Sequence, residues 1–362
     1  MIGFGQLTMI PDANFEQKLI NLGYDNGAIN GSVYTALINT VTYLDISFSN
    51  ISDLTGIEDF TALNYLHCSN NQLTSLDVSN NTDLTELFCD HNGLTSLDVS
   101  GATALEGLHC PNNSLTSLDV SGATALEYLD CQDNNQLTSL DVSNNTDLTE
   151  LFCGHNGLTS LDVSGATALE HLDCAYNSLT SLDVSGGGAL TYLDCAYNSL
   201  TSLDVSNNAA LEELRSYENQ LISLDVSGAT ALTYLICQYN SLTSLDVSGA
   251  TALEYLDCAY NSLTSLDVRN GNNINMYLIS TNNPNLICIS VDDPVYAAAN
   301  WTNIDPQHYF SHNCSGTSIQ EHTTNNELLK VTDLLGRETK QTNQPLFYIY
   351  DDGIVEKRIV IE

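Results

Sequence analysis

Ten aspartates recur along the chain at near-fixed intervals: Asp77, Asp98, Asp119, Asp141, Asp162, Asp183, Asp204, Asp225, Asp246 and Asp267. Each sits in "LTSLDVS" or a near copy of it. Carboxylates held in register about 5 Å apart repel one another by roughly 0.8 kcal/mol in water. Salt can screen an exposed column, the Ser and Thr hydroxyls around every Asp can donate to it, and calcium could bridge neighbouring carboxylates. The plainest reading is a solvated acidic edge that keeps sheets from associating. Calcium along the column from Asp77 to Asp267 is the alternative, although no Gly-rich nonapeptide repeat accompanies it. An ice-binding face would want regular Thr pairs, which Ser and Asp do not supply.

Nine of the eleven cysteines form a second column: Cys68, Cys89, Cys110, Cys131, Cys153, Cys174, Cys195, Cys237 and Cys258, with Ser216 in the slot that lacks one. Such spacing could suggest a metal scaffold. Side chains in register about 4.8 Å apart, however, lie outside the usual Cβ separation of a disulfide, and Cys is a good small core filler. Buried, reduced thiols without metal are expected. Cys288 and Cys314 stand apart, and a disulfide between them would staple an irregular segment in an oxidising compartment. His67, Asp90, His91 and His109 bring imidazole and carboxylate to neighbouring repeats, where they could in principle hold a metal. No H-E-x-x-H, nucleophile motif or phosphate loop accompanies them, so neither catalysis nor a cofactor is expected.

The elements that position these columns follow from the period. The leucines opening "LTSLDVS" fall every 21 residues from 73 to 263, except for one step of 22 where "CQDNNQ" carries an extra residue. A fixed period of this length marks a solenoid in which each rung packs on its neighbours. In "LTELFC", Leu87 and Cys89 alternate with Glu86, Phe88 and Asp90, the period of a strand with one buried face. About twelve rungs would extend on the order of 55 Å. "LTELFCDHNGL" (84–94) has the form L-x-x-L-x-C-x-x-N-x-L, and the chain over about residues 41–291 resembles the leucine-rich repeat family. The resemblance implies parallel strands on a concave side. The back, "LDVSGAT", is too short and too rich in Gly, Ser and β-branched residues for helix, so short ragged strands are expected there. The asparagines after each strand (Asn71, Asn92, Asn113, Asn156, Asn177, Asn198, Asn219, Asn240 and Asn261) can turn their amides inward to satisfy backbone groups at the bend.

A solenoid needs covered ends. "IPDANFEQKLINLG" reads as a capping helix within an N-terminal cap of residues 9–40: Asp12 as N-cap, Phe15, Leu19 and Leu22 at helical spacing, Gly23 as stop. Residues 1–8 read as the remnant of a secretory signal. The first full repeat, "LDISFSNISDLTGIEDFTALNYL", is similar to those of internalin-type proteins. Residues 292–316, with the single Trp, suit a C-terminal cap, and 317–327 a polar linker. Residues 328–362 form a small β domain in this reading. Their "VTDLLGRE", "PLFYIYDDG" and terminal "EKRIVIE" resemble the C-terminal sorting domain of the type IX secretion system of Bacteroidetes. That resemblance implies contact with the type IX machinery, and secretion or attachment at the outer-membrane surface.

The expected fold is thus a mainly β leucine-rich repeat solenoid with a helical N-terminal cap and a small β C-terminal domain. A formal charge of -37, from 45 acidic and only 8 basic residues, excludes nucleic acid and anionic membrane as natural partners. No apolar run is long enough for membrane insertion, and a monomer is expected. The residues that vary from rung to rung lie on the concave face, where a partner would be read. One column carries Tyr65, Tyr128, Tyr192, Tyr234 and Tyr255; the next carries Phe88, Phe152, Asp130, Asp173 and Asp194; Tyr176, Tyr197, Tyr239 and Tyr260 stand at the strand exits. Tyrosine supplies contact area at low entropic cost, so this face suits an extracellular protein or a glycan. The rival reading is structural: an acidic spacer or adhesin stalk, stiffened by calcium, whose exactly repeated blocks need no ligand.

Overall fold

An x-Leu-x triplet is too short to hold a strand alone and gains its ladder only from copies before and after it. In the computed structural model, which describes residues 5–314 and three later strands (328–332, 345–350 and 355–359), such triplets stack into one parallel sheet of twelve strands, from Tyr43–Asp45 to Tyr277–Ile279. Leucine lies opposite leucine throughout: Leu193 pairs with Leu172 on one side and Leu214 on the other. Because strand side chains alternate, a one-residue slip would turn every leucine to water. Even the 22-residue rung keeps step, with Glu150 opposite Tyr128 and Phe152 opposite Asp130.

On the other side of the coil the Ser-Leu-Asp triplets pair as short parallel ribbons, such as Ser75–Asp77 with Ser96–Asp98 and Ser202–Asp204 with Ser223–Asp225. This second line is interrupted at 117–119 and 181–183. Between the two lines lie buried Leu, Val and Ala, and all nine cysteines of the column, each fully buried and free. Burial pushes their thiols far up, so they remain neutral.

The asparagine column ties rung to rung. Asn198 donates from Nδ2 to the carbonyls of Cys174 and Cys195 (3.0 and 3.1 Å), and its Oδ1 accepts from the Leu179 N–H at 2.9 Å. One amide thus satisfies backbone groups of two successive rungs. In the longer rung Asn134, outside the expected asparagine column, takes this role, donating to the carbonyls of Cys110 and Cys131.

At the N-terminus, helix Ala13–Leu22 covers the first rungs with Phe15 stacked on Phe60. Asp12 caps it, accepting from Asn14 and Phe15 N–H with one oxygen and from Ser52 N–H and Oγ with the other. Gly23 ends it at φ 84°. Leu22, expected on the buried face, is 43% exposed; the apolar stripe is only Phe15 and Leu19 wide. Residues Leu7–Met9 form a strand antiparallel to Ser32–Tyr34, so the folded cap reaches back into the stretch read as a leader remnant, of which 1–4 lie outside the described residues.

At the other end, helix Pro294–Asn300 is capped by Asp293, and Trp301 Nε1 donates to the Met276 carbonyl at 3.0 Å. A Cys288–Cys314 disulfide closes the segment. Tyr309–Ser311 also adds a further parallel strand beside Cys288–Ser290, so this region prolongs the coil as well as capping it. The first compact unit ends at Cys314. In the second, Leu328–Thr332, Pro345–Tyr350 and Val355–Ile359 make a three-stranded antiparallel sheet in sequence order. The 317–327 stretch read as a linker lies outside the described residues, as does most of "VTDLLGRE".

Candidate ligand-binding face

Within each strand the leucine points to the core, so its two neighbours point out and stack into the two expected columns. Rings from both columns interleave. Tyr43 stacks on Tyr65 at 4.6 Å, Phe88 on His109 at 4.1 Å, and His109 on Tyr128 at 4.5 Å. The run continues through Phe152 and His171 (4.8 Å) to Tyr192 (4.1 Å), where the Arg215 guanidinium lies 5.7 Å from the Tyr192 ring centroid. A second run joins Tyr234, Tyr255 and Tyr277 at 4.4 and 5.7 Å. His109 and His171 stack within the rows of the expected tyrosines and phenylalanines, and Tyr43 and Tyr277 extend those rows at either end. In four of these pairs, Tyr43–Tyr65, Phe88–His109, His171–Tyr192 and Tyr234–Tyr255, the ring planes lie within about 15° of parallel. There one face of each ring is covered by its neighbour.

The strand-exit tyrosines form an edge row of their own. His155, Tyr176 and Tyr197 stack at 4.3 and 4.2 Å with Tyr217 edge-on at 5.3 Å, and Tyr239 stacks on Tyr260 at 4.3 Å. All four expected tyrosines have left-handed backbone, φ 52 to 54°. The same column holds His91, Asn112, Asp133, His155 and Glu218 in that conformation. It costs a non-glycine residue roughly 1–2 kcal/mol. Each tyrosine N–H offsets part of this by donating to the next rung, as Tyr176 does to Ala196 and Tyr260 to Thr281. Asn112 and Asp133, the types that best tolerate this conformation, were the signal in the sequence that could have revealed it.

Carboxylates sit between the rows. Asp130, Asp173, Asp194 and Asp257 each accept the N–H two residues on, from Gln132, Ala175, Ala196 and Ala259. The back-edge aspartates make the same turn with serine, as Asp119 does with Ser121 N–H and Oγ. The outcomes are opposite. Serine hydrogen bonds hold Asp98, Asp119, Asp183 and Asp204 below the usual carboxylate range in open solvent. On the ring face burial dominates: it raises Asp130 and Asp257, and lifts Asp194 to about 6. Asp194 and Asp257 are only 8% and 7% exposed. Tyr128, Tyr192 and Tyr255 are pushed to about 12, by burial first and nearby carboxylates second. Asp257 has the same place in its rung as Asp130, Asp173 and Asp194 and belongs with the site on the same grounds.

The histidines do not converge. His67 Nδ1 lies 3.7 Å from Asp45, His109 Nε2 lies 3.9 Å from Glu86, and His91 is in the edge row. Among the described residues no group of three or more His, Cys, Asp or Glu is placed to hold a metal ion. The back-edge serines and aspartates line shallow open troughs, one bounded by Ser139, Asp141, Ser160, Asp162 and Asp183.

Stacked Leu-Cys-Asn rungs with parallel strands on one side and short ribbons on the other define a leucine-rich repeat solenoid. Residues 32–145 match a family model described as the leucine-rich repeat domain of the endo-β-N-acetylglucosaminidase EndoS. Over 72 residues, 20% of this chain, the sequence is 42% identical to Internalin J of Listeria monocytogenes, a stretch that spans 8% of that protein. The solved functional domain of InlJ from the same organism, described as including a cysteine ladder, is 29% identical with a TM-score of 0.55, covering 98% of both chains. A solved L. monocytogenes internalin, InlF, shares the fold at 22% identity and a TM-score of 0.64, over 84% of this chain and 91% of that one. The chain is a leucine-rich repeat protein with internalin-like homology.

Proposed function

We propose that this protein is a non-catalytic binding module, secreted or displayed at a cell surface, that takes a protein partner on the outward face of its twelve-stranded sheet. The observation that carries the reading is the contrast between the two sides. The back repeats Ser-Leu-Asp rung after rung, whereas the sheet face alone mixes Tyr, His, Phe, Asp, Glu and Arg in stacked order. Side chains that order themselves before a partner arrives lose little entropy on binding. A protein fits better than a glycan, because sugars stack on open ring faces and the stacked pairs cover a face of each ring they join. Secretion is supported by the Cys288–Cys314 disulfide and by the likeness to internalins. Export by the type IX machinery rests on the C-terminal motifs. Among the described residues no helix is long and apolar enough to cross a membrane.

The test replaces Tyr192, Tyr234 and Tyr255 together by Ala in the full chain and measures capture of surface proteins beside a glycan array. Loss of protein capture, with melting temperature retained, supports the reading. Unchanged capture removes it in favour of an acidic spacer, and loss confined to glycan spots makes the ligand a sugar.

A further inference from the structure

Asp257 is an uncommon carboxylate. It is 7% exposed, one oxygen accepts the Ala259 N–H at 3.1 Å, and its other oxygen meets no donor among the described residues. Its register neighbours on the flanking strands are Ile236 and Ile279. Tyr255 stands two residues back on the same face, and Tyr260 follows at the strand exit. Elsewhere in the column one such carboxylate has a cation of this chain close by. Beside Asp194 the register neighbour is Arg215, whose guanidinium lies by the Tyr192 ring with Nε donating to Glu213 at 2.6 Å. At Asp257 the corresponding slot holds isoleucine, and the cation is missing from this chain.

We infer that Asp257 is the anchor for an arginine side chain of a basic protein partner, docked on the ring face proposed above as the binding surface. The free oxygen of Asp257 keeps some contact with solvent, where a partner's donor can replace water. A guanidinium supplies donors in a planar fork and is weakly enough hydrated to enter between aliphatic and aromatic walls. Calcium does not fit: it requires six to eight oxygens, and isoleucine flanks this carboxylate on both sides. The whole-chain balance of 45 acidic to 8 basic residues draws the same partner in from a distance. Burial lifts the Asp257 carboxyl, and its charge in turn helps to raise Tyr255.

The experiment titrates the full chain with an arginine hexapeptide, and with its uncharged citrulline counterpart, in about 0.15 M salt to screen diffuse attraction. Asp257→Asn keeps the acceptor for Ala259 and removes the charge; Asp246→Asn removes one charge from the back edge. The anchor requires that Asp257→Asn weaken the arginine peptide at least about tenfold while Asp246→Asn changes it less than about twofold. Equal losses in both variants, or equal binding of the citrulline peptide, overturn it. If Asp257→Asn binds like wild type while the triple-tyrosine variant does not, the anchor falls and the ring face stands. Indifference to both sets of substitutions takes the ring face down as well.

Discussion

Replacing Asp194 by Asn should make the protein more stable, and only above acid pH. Asp194 is 8% exposed and its carboxyl is lifted from 3.8 to about 6, first by burial, with Asp173 and Glu213 adding to the rise and the Ala196 N–H and Arg215 opposing it. A carboxyl raised in the folded state is neutral in both states below pH 3.8, so the stability present there is lost as pH climbs through about 6. The rise from 3.8 to about 6 corresponds to about 3 kcal/mol at neutral pH. Asparagine is nearly isosteric, keeps an oxygen for the Ala196 N–H at 3.0 Å and carries no charge. Urea unfolding should therefore show Asp194→Asn ahead of wild type by about 1–3 kcal/mol at pH near 7.5, and level with it near pH 3.5. Equal stability at neutral pH, or a gain of the same size in acid, would refute the claim that a desolvated charge is held there. A carboxylate kept at this cost on the one varied face is what a binding site requires and a passive spacer does not.

Three further outcomes follow from the rungs themselves. Asn198→Ala should cost about 1–3 kcal/mol, because it orphans the Leu179 N–H while the Cys174 and Cys195 carbonyls keep their bonds from Asn177 and Asn219; hydrogen exchange at Leu179 locates the damage, and full protection there would count against it. Asn198→Asp should be at least as harmful at neutral pH, since a carboxylate then faces two carbonyls. That carboxyl would be raised in the folded state, so stability should return as pH falls, a sign readable in a pH series of unfolding midpoints. Ser216→Cys should gain about 1 kcal/mol, because the fully buried serine makes only a 3.4 Å contact to the Ile236 carbonyl; a loss on thermal melting would show that this hydrogen bond outweighs packing.

Leucine spacing was enough to read the solenoid, because a period of 21 broken by a single step of 22 leaves stacking as the one way to bury Leu193 against Leu172 and Leu214 together. The same logic placed Cys174 inside and Asp183 outside, since alternation fixes the face once the strand is known. It failed where position in the unit does not determine surroundings. Leu22 has helical spacing but, as the last residue of the cap helix, stays exposed instead of packing on the first rungs. Asn134 was missed because the extra residue sits in a bend, which absorbs length without shifting register.

The sequence by itself determined the coil, its two faces, and the list of side chains that each face could display. Only the tertiary structure decided what those side chains are to one another. Asp183 and Asp194 belong to one repeating text and make the same turn; serine donors and open water lower the first, and burial among rings raises the second. Ring stacking and desolvation depend on neighbours a full rung away, about 21 residues distant in the chain and about 4.8 Å in space. No local pattern records that proximity until the rungs are stacked.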